Sequence, residues 1–342
     1  MVDKKLFCLT RGPPRIDFTN AFDRHLVDAT AIEKYRFTIS QLAELSIKLR
    51  LDPFIVTATR DKVTRIEALA IVCRRLSELS KLFTVANEFG RSIASYYRIF
   101  LQTVRLLHSA HAGLLYLNKS LIKQRMLEYS AAVRAKGVRL TTCWGFIDGT
   151  KQYISRPIAR RNPSHANENL QRSVYNGHPR RHCLNWQGIT CPDGIMASMY
   201  GPVEGRRHDS TVLAKSEVLK EFQADQAFQN AVVYGDPAYS CSAFVVCPFS
   251  NPRPGSCEAK FNARMSSVRE SVEWGFGRIK VLWPFIDFDK KQKALEAPIG
   301  KIFNIAVLLS NCHCCLQPLG NQISMYFDLA PPTLNDYLGI NE

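Results

Sequence analysis

Apolar residues recur at every third or fourth position from about residue 30 to residue 117, the spacing that places them on one face of a helix. Three clear examples are residues 37–51, 64–80 and 96–117, with few glycines to interrupt them. From about residue 141 the pattern changes to short apolar runs and to alternation, which is typical of strands. The chain is therefore predicted to have an all-α N-terminal region followed by an α/β region.

The α/β region has several predicted strands, then a helix, two strands and two helices. Pro192-Asp193-Gly194 is a strong turn signal, so the strands on either side of it form a predicted hairpin. Such an order suits a mixed sheet flanked by helices. The predicted elements are strands at 142–148 and 151–157, a hairpin of strands at 182–191 and 195–202, a helix from near 209, strands at 231–234 and 243–249, and helices near 268–283 and 296–316.

These changes of pattern give four predicted segments. Residues 1–20 form an N-terminal arm, residues 21–140 a helical domain with a basic connector at its end, residues 141–318 the α/β domain, and residues 319–342 a tail. Neither an internal repeat nor a low-complexity segment stands out in the sequence.

The helical region contains a pattern typical of a helix-turn-helix. Gly90 supplies the turn between two short predicted helices, and Ser92 is placed to cap the second. The second helix of such a motif can enter a DNA major groove, which would bring Arg91 and Arg98 close to DNA. Simple packing of two helices in a bundle explains the same pattern. The apolar positions are Val85, Ala86 and Phe89 on the first helix and Ile93, Tyr96, Tyr97 and Ile99 on the second.

The formal net charge of +15 favours a polyanionic partner, with nucleic acid first. An ordinary basic, solvated surface is the alternative. The N-terminus lacks the apolar core of a signal peptide, and no run of about 18 apolar residues predicts a membrane span. A location inside the cell is therefore expected. A nucleic-acid partner favours the nucleus, with the cytoplasm as the alternative, although no dense run of Lys and Arg marks nuclear import.

Three acids stand where the pattern predicts one edge of the sheet. Asp148 ends one predicted strand, and Asp236 follows the strand at 231–234. Glu273 lies beside an apolar stripe on a predicted helix, formed by Val268, Val272, Phe276, Ile279 and either Leu282 or Trp283. Three carboxylates brought together repel one another unless cations neutralise them.

The chemistry of these acids favours Mg²⁺, or Mn²⁺ in its place. Mg²⁺ prefers oxygen ligands and takes one or two carboxylates together with phosphate oxygens of the substrate. Two such ions can stabilise the attacking and leaving oxygens of a phosphodiester displacement. Each acid also has a structural explanation. Asp148 is a plausible turn residue, Asp236 precedes Pro237 and could begin a loop, and Glu273 could pair with Arg269 four residues earlier.

The motifs FIDGT, GRRHDS and YGDPAY, with the pattern R-x3-E-x6-K at Arg269, Glu273 and Lys280, resemble those of the PIF/Harbinger transposases and Harbinger-derived nucleases. The resemblance covers roughly residues 140–315. It implies a DDE superfamily endonuclease domain with an RNase H-like fold. It also implies that Asp148, Asp236 and Glu273 are catalytic and bind the metal, and that a separate Myb-like DNA-binding protein is a partner. Ser266 and Pro237 depart from the pattern, and neither removes a ligand.

Several other residues are candidates for supporting roles. Asp209, beside His208, is favoured as a helix N-cap over a fourth acid at the site. Arg206, Arg207, Arg269 and Lys280 could contact phosphates, or could be ordinary surface charges. The tight cluster Cys312-His313-Cys314-Cys315 invites a zinc interpretation, but buried free cysteines on a helix are the favoured explanation.

The sequence thus favours a nuclear, metal-dependent transposase or a domesticated nuclease derived from one, which cleaves DNA with Asp148, Asp236 and Glu273. A homo-oligomer is left open. The alternative is a catalytically silent DNA-binding or adaptor protein that keeps the fold. All three acids are present, which favours the enzyme.

Overall fold

The computed structural model describes residues 14–157, 170–317 and 320–340, and of residues 271 and 272 only the backbone. Residues 1–13 of the predicted arm and residues 158–169 of the basic loop lie outside the described residues. The side chain of Val272, assigned above to the apolar stripe, also lies outside them.

The N-terminal region is mainly helical, as its 3.6-residue period predicts. Ser92 caps α5 by accepting a hydrogen bond from the Ser95 N–H, so the predicted cap is confirmed. Gly90, with a positive φ of 57°, makes the turn between α4 and α5. The helices are α1 (Asp28–Tyr35), α2 (Ile39–Lys48), α3 (Arg65–Ser77), α4 (Leu82–Glu88), α5 (Ile93–Tyr116) and α6 (Lys119–Ala135).

A small antiparallel hairpin interrupts these helices, so the prediction of an all-α region is wrong here. Strands β1 (Phe54–Val56) and β2 (Lys62–Thr64) pair with each other, and their β-branched residues suit a strand. The Thr57 hydroxyl donates to the Asp61 carboxylate at 2.7 Å, which closes the loop between the strands.

The described part of the α/β region contains a six-stranded mixed sheet, as predicted. Strand β3 is central: β5 pairs with it antiparallel on one side and β7 parallel on the other. Beyond them, β8 pairs with β7, and both β4 and β6 pair with β5. The strands are β3 (Cys143–Tyr153), β4 (Tyr175–Asn176), β5 (Arg181–Thr190), β6 (Met196–Glu204), β7 (Val232–Tyr234) and β8 (Val245–Val246).

Strand β3 does not end at Asp148, contrary to the sequence prediction of two separate strands at 142–148 and 151–157. It continues to Tyr153 because β5 keeps pairing with it along residues 146–153. Its parallel partner β7, in contrast, reaches only as far as Phe146. Asp148 therefore lies inside a long strand, just beyond the point where the parallel pairing stops.

Helices cover both faces of the sheet. Phe303 of α11 stacks on Trp186 of β5 with ring centroids 4.3 Å apart, which fixes one face. On the other face, the side chain of Gln187 donates to Ser216 of α8. The helices of this region are α7 (Leu170–Val174), α8 (Asp209–Ser216), α9 (Val218–Gln223), α10 (Cys257–Leu282), α11 (Ile299–Leu316), α12 (Gln322–Phe327) and α13 (Leu334–Leu338).

One hydrophobic core joins the helical region to the sheet. Phe37, which precedes α2, contacts Trp283 at the end of α10 with ring centroids 6.3 Å apart, and both belong to the same buried cluster as residues of α5 and α11. Helix α11 is long and apolar enough to cross a membrane, but 67% of its residues are buried inside the protein. A central helix of a globular core has this same composition.

The predicted turn at Pro192-Asp193-Gly194 is present and is held by a buried polar network. The Asp193 carboxylate is fully buried and accepts hydrogen bonds from Arg125, at 2.7 Å, and from the Tyr129 hydroxyl, at 2.8 Å. The Asn321 side chain donates to the Asp193 carbonyl. This network ties α6, the β5–β6 turn and the C-terminal segment together.

Candidate active site

The pairing register places Asp148 and Asp236 side by side. Phe146 of β3 is the partner of Tyr234 of β7 in the parallel pair. Asp148 is two residues beyond Phe146, and Asp236 is two residues beyond Tyr234. The two acids therefore occupy equivalent positions at the edge where the parallel pairing ends, which is where open α/β sheets place their sites.

Asp148 faces helix α10, which carries Glu273. Asp148 is directly opposite Gly188 in the antiparallel pair of β3 and β5, so the two residues point to the same face. A Cβ atom added at Gly188 would be 3.0 Å from the Phe276 ring of α10, so α10 packs on this face. Glu273 therefore lies on the same face of the sheet as Asp148.

Arg269 lies between the buried acid and the exposed one. Its Nη1 is 3.9 Å from Asp148 Oδ1, and its Nη2 is 3.8 Å from Glu273 Oε1. The Asp148 side chain is 17% exposed and that of Glu273 is 62% exposed. The guanidinium thus partly neutralises both carboxylates, which otherwise repel each other.

Backbone N–H groups orient the two strand-end acids. Asp148 Oδ1 accepts a hydrogen bond from the Gly149 N–H at 2.9 Å, and Asp236 Oδ1 accepts one from the Ala238 N–H at 2.9 Å. Oδ2 of each acid accepts no hydrogen bond within the described residues. One oxygen of each carboxylate is therefore fixed, while the other remains available to a ligand.

The electrostatics show that the acids influence one another. The pKa of Asp148 is raised to about 6, mainly by burial. The Gly149 N–H and the charge of Arg269 oppose this rise, whereas the charges of Asp236 and Glu273 contribute to it. Burial, with the charge of Asp236, also raises the pKa of Asp209. Acids with raised pKa values that gather at one sheet edge are typical of functional sites.

Asp209 is not the helix cap that the sequence analysis favoured. His208 occupies the N-cap position of α8 without a side-chain cap bond, and Asp209 is the first residue of the helix. Its carboxylate lies close to Gly149. A Cβ atom at residue 149 would be only 2.9 Å from Asp209 Oδ1. Gly149 alternates with Asp148 along β3, so Asp209 approaches the acid edge from the opposite face of the sheet.

The sequence analysis missed Tyr239. This residue is buried, and its ring packs over Gly235, where a side chain would come within 3.0 Å of it. Its hydroxyl has no hydrogen-bond partner among the described residues. Burial raises its pKa, and the charges of Asp209, Asp148 and Asp236 add to the effect. Its position in the YGDPAY motif, three residues after Asp236, was the available signal.

The donor set suits a hard cation. Asp148, Asp236, Glu273 and Asp209 offer only carboxylate oxygens at this edge, the ligands that Mg²⁺ and Mn²⁺ prefer. Within residues 14–157, 170–317 and 320–340, however, no three or more His, Cys, Asp or Glu side chains are arranged to hold a metal ion. Direct coordination by all three predicted acids therefore requires a side-chain rearrangement, and Arg269 is the group between two of them.

The other candidates do not reach Asp148, Asp236 or Glu273, although the charge of His208 lowers the pKa of its neighbour Asp209. Lys280 is two helical turns beyond Glu273 and pairs with Asp287 at 3.4 Å. Arg207 pairs with Glu204. Arg206 and His208 are exposed on the approach to α8. The structure thus brings Arg269, but not Lys280, to the carboxylates.

The two arginines predicted to contact DNA are held by acids of the helical region. Arg91 pairs with Glu67 at 2.7 Å, and Arg98 forms two hydrogen bonds to Asp61, at 2.8 and 3.0 Å. Helix α5, which carries Arg98, continues for 24 residues and packs against α11. Two helices joined by a turn at Gly90 are present, and packing accounts for their buried face.

Residues 312–315 belong to the core. Cys312 and Cys314 are buried, and Cys314 accepts a hydrogen bond from Arg278. Arg278 also lies 2.9 Å from His313. Burial lowers the pKa of His313 to about 4, with the charges of Arg278 and Arg36 adding to the effect. These contacts agree with the favoured explanation of buried free cysteines on a helix.

A mixed sheet flanked by helices, with carboxylates at one sheet edge, is consistent with an RNase H-like nuclease fold. Residues 147–311 match the family of DDE superfamily endonucleases. The match contains all three predicted acids, and at the family level it supports a transposase-like nuclease. No curated protein and no solved structure matches the chain.

Proposed function

We propose that the protein is a metal-dependent DNA nuclease of the PIF/Harbinger type, either an active transposase or a domesticated nuclease derived from one. The observation that carries the proposal is the register that places Asp148 and Asp236 side by side, with Glu273 on the same sheet face. Asp148, Asp236 and Glu273 would hold Mg²⁺ or Mn²⁺. When bound, such ions would stabilise charge at the attacking and leaving oxygens of the phosphodiester.

The chain itself prepares the site for this chemistry. The N–H groups of Gly149 and Ala238 fix the orientation of Asp148 and Asp236. Tyr239 packs over Gly235 and so supports the turn that carries Asp236. Arg269 reduces the repulsion between Asp148 and Glu273 and offers a cation for the substrate phosphate. The attacking oxygen, from water or a DNA 3′-hydroxyl, forms the new P–O bond as the old one breaks and its leaving oxygen takes up a proton.

One observation favours the second candidate, a silent DNA-binding or adaptor protein. Arg269 already partly neutralises Asp148 and Glu273, and a protein that has lost metal binding would be stabilised by such an internal cation. The presence of all predicted acids favours the enzyme. The DNA substrate, a Myb-like partner, a homo-oligomer and a nuclear location belong to the same proposal, and the charge of +15 supports the first of them.

Incubation of the full chain with supercoiled plasmid tests the proposal. We expect nicked or linear DNA in Mg²⁺ or Mn²⁺, and none in excess chelator. A chain that binds the plasmid but leaves it intact with every divalent ion tried would support the adaptor instead.

A further inference from the structure

A basic groove lies at the start of helix α10, away from the acids. One wall is the loop between α6 and β3, at Gly137, Val138 and Arg139. The other wall is the first two turns of α10, at Cys257, Lys260, Phe261 and Arg264. The cavity between them has a volume of about 290 Å³.

The groove has a positive rim and an apolar floor. Arg139, Lys260 and Arg264 are exposed, while Val138 is buried and Phe261 is half-buried. Phe261 is held in place by ring contact with Phe249, at 5.5 Å between centroids. A cluster of Lys and Arg on one surface is the electrostatic footprint of a nucleic-acid-binding site.

The three cations have no acidic partner within the described part of the chain. None of them forms an ion pair there, in contrast to Arg91 and Arg98, which are paired. The Arg264 guanidinium donates a hydrogen bond to the Gly137 carbonyl, at 3.4 Å. Glu258 is on the same turn of α10 but does not line the cavity. The groove therefore presents uncompensated positive charge to solvent.

The groove and the acids share one helix. Lys260 precedes Glu273 by 13 residues, which is about 20 Å along α10. B-DNA covers this distance in roughly six base pairs at 3.4 Å each. At about 100° per residue, however, Lys260 and Glu273 point about 140° apart around the helix, so a duplex that reaches both the acids and the groove must cross α10.

We propose that this groove binds the phosphate backbone of DNA next to the cleavage site, with Arg139, Lys260 and Arg264 as its contacts. The inference rests on the proposed nuclease function, because it takes DNA as the substrate. It goes further by locating a positioning surface on α10 that neither the acid motifs nor the helix-turn-helix pattern contains.

The test compares two triple variants that remove the same charge. In the groove variant, Arg139, Lys260 and Arg264 are each replaced by glutamine. In the control, glutamine replaces Arg60, Arg105 and Lys301, which are exposed and unpaired among the described residues. Binding of a fluorescent DNA duplex is measured between about 50 and 200 mM salt.

We expect the groove variant to bind more weakly and its salt slope to fall by about 2 to 3, since each phosphate contact adds about 0.9. The control variant should keep most of the wild-type DNA affinity and most of the wild-type salt slope. Equal losses in the two variants would overturn the proposal, because then only total charge matters. If the wild-type chain binds no DNA, the proposed function fails together with the groove. If the wild type binds DNA but the two variants lose equally, only the groove proposal fails.

Protection of Cys257 provides a second measurement without any substitution. This cysteine is exposed and lines the groove. Bound DNA should slow its modification by a thiol reagent several-fold, as followed by mass spectrometry of its peptide. An unchanged modification rate at saturating DNA would place the backbone elsewhere and overturn the proposal.

Discussion

The guanidinium of Arg269 lies 3.9 Å from the carboxylate of Asp148, although helix α10 and strand β3 bring them together from distant parts of the chain. The same guanidinium reaches Glu273 at 3.8 Å. A cation at this position reduces repulsion between the acids and also competes with a metal ion for them.

The first prediction concerns this competition. Arg269→Gln should bind Mg²⁺ or Mn²⁺ more tightly than the wild type, because a fixed positive charge beside the ligands has been removed. Without metal the variant should be less stable, because the two acids are then uncompensated. Thermal unfolding over a series of metal concentrations measures both effects.

Arg105→Gln, which removes an exposed charge elsewhere, is the control for that series. If Arg269→Gln and Arg105→Gln show the same metal dependence as the wild type, Arg269 does not compete for the acids.

The second prediction uses the raised pKa of Asp148, which is about 6 in the folded chain against 3.8 as its ordinary value. The folded state then binds the proton more tightly than the unfolded state, so this group lowers stability as the pH rises from about 4 to about 6. Without metal, Asp148→Asn should be more stable than the wild type at pH 7, by about 1 to 3 kcal/mol.

Denaturant unfolding at a series of pH values checks this prediction, with the exposed Asp52→Asn as control. The advantage of Asp148→Asn should disappear near pH 4. An advantage that is constant over the whole pH range would show that the burial of a charge at Asp148 is not its cause.

The third prediction concerns the buried pair of Arg125 and Asp193. Asp193→Ala removes the buried acceptor of Arg125 Nη1 and of the Tyr129 hydroxyl, and leaves Arg125 only the exposed Glu128 as an acidic partner. It should lower the free energy of unfolding by about 3 kcal/mol or more. Glu44→Ala removes a partner from the exposed pair with Lys48 and should cost less than about 1 kcal/mol. Similar losses in the two variants would contradict the structural role of the network.

Much of this fold follows from hydrophobic period alone. The helices, the turn at Pro192-Asp193-Gly194 and the strand before Asp236 appear as predicted. The continuation of β3 past Asp148 was not predicted, because the length of this strand depends on its pairing with β5, which is distant in sequence. The β1–β2 hairpin was also missed, since each of its strands has only three residues.

The site shows the same limit. Sequence motifs indicated Asp148, Asp236 and Glu273, and the register brings the first two together. The sequence could not predict which basic residue contacts the acids. Arg269 and Lys280 are on the same helix, and only the tertiary packing directs Arg269 to the acids and Lys280 to Asp287. Asp209 illustrates this too: its place at a helix start suggested a cap, whereas its contact with Gly149 depends on the sheet.

The fourth prediction revises the expectation for the helix-turn-helix. Arg91 and Arg98 are engaged with Glu67 and Asp61, so replacing both by glutamine should leave the salt slope of DNA binding nearly unchanged and should lower the melting temperature. Fluorescence titration at several salt concentrations measures the slope. A slope reduced by about 2 would instead assign both arginines to phosphate contacts.

The central claim is that Asp236 and its neighbouring acids cleave DNA with a divalent metal. The most direct measurement is plasmid cleavage in Mg²⁺ or Mn²⁺ by the wild type, Asp236→Asn and the exposed control Asp52→Asn, with DNA affinity determined for each. An amide is a poorer Mg²⁺ ligand than a carboxylate and does not repel phosphate. The account predicts cleavage by the wild type and the control, and none by Asp236→Asn, with its DNA binding equal or tighter. Cleavage by Asp236→Asn at the wild-type rate would contradict the account.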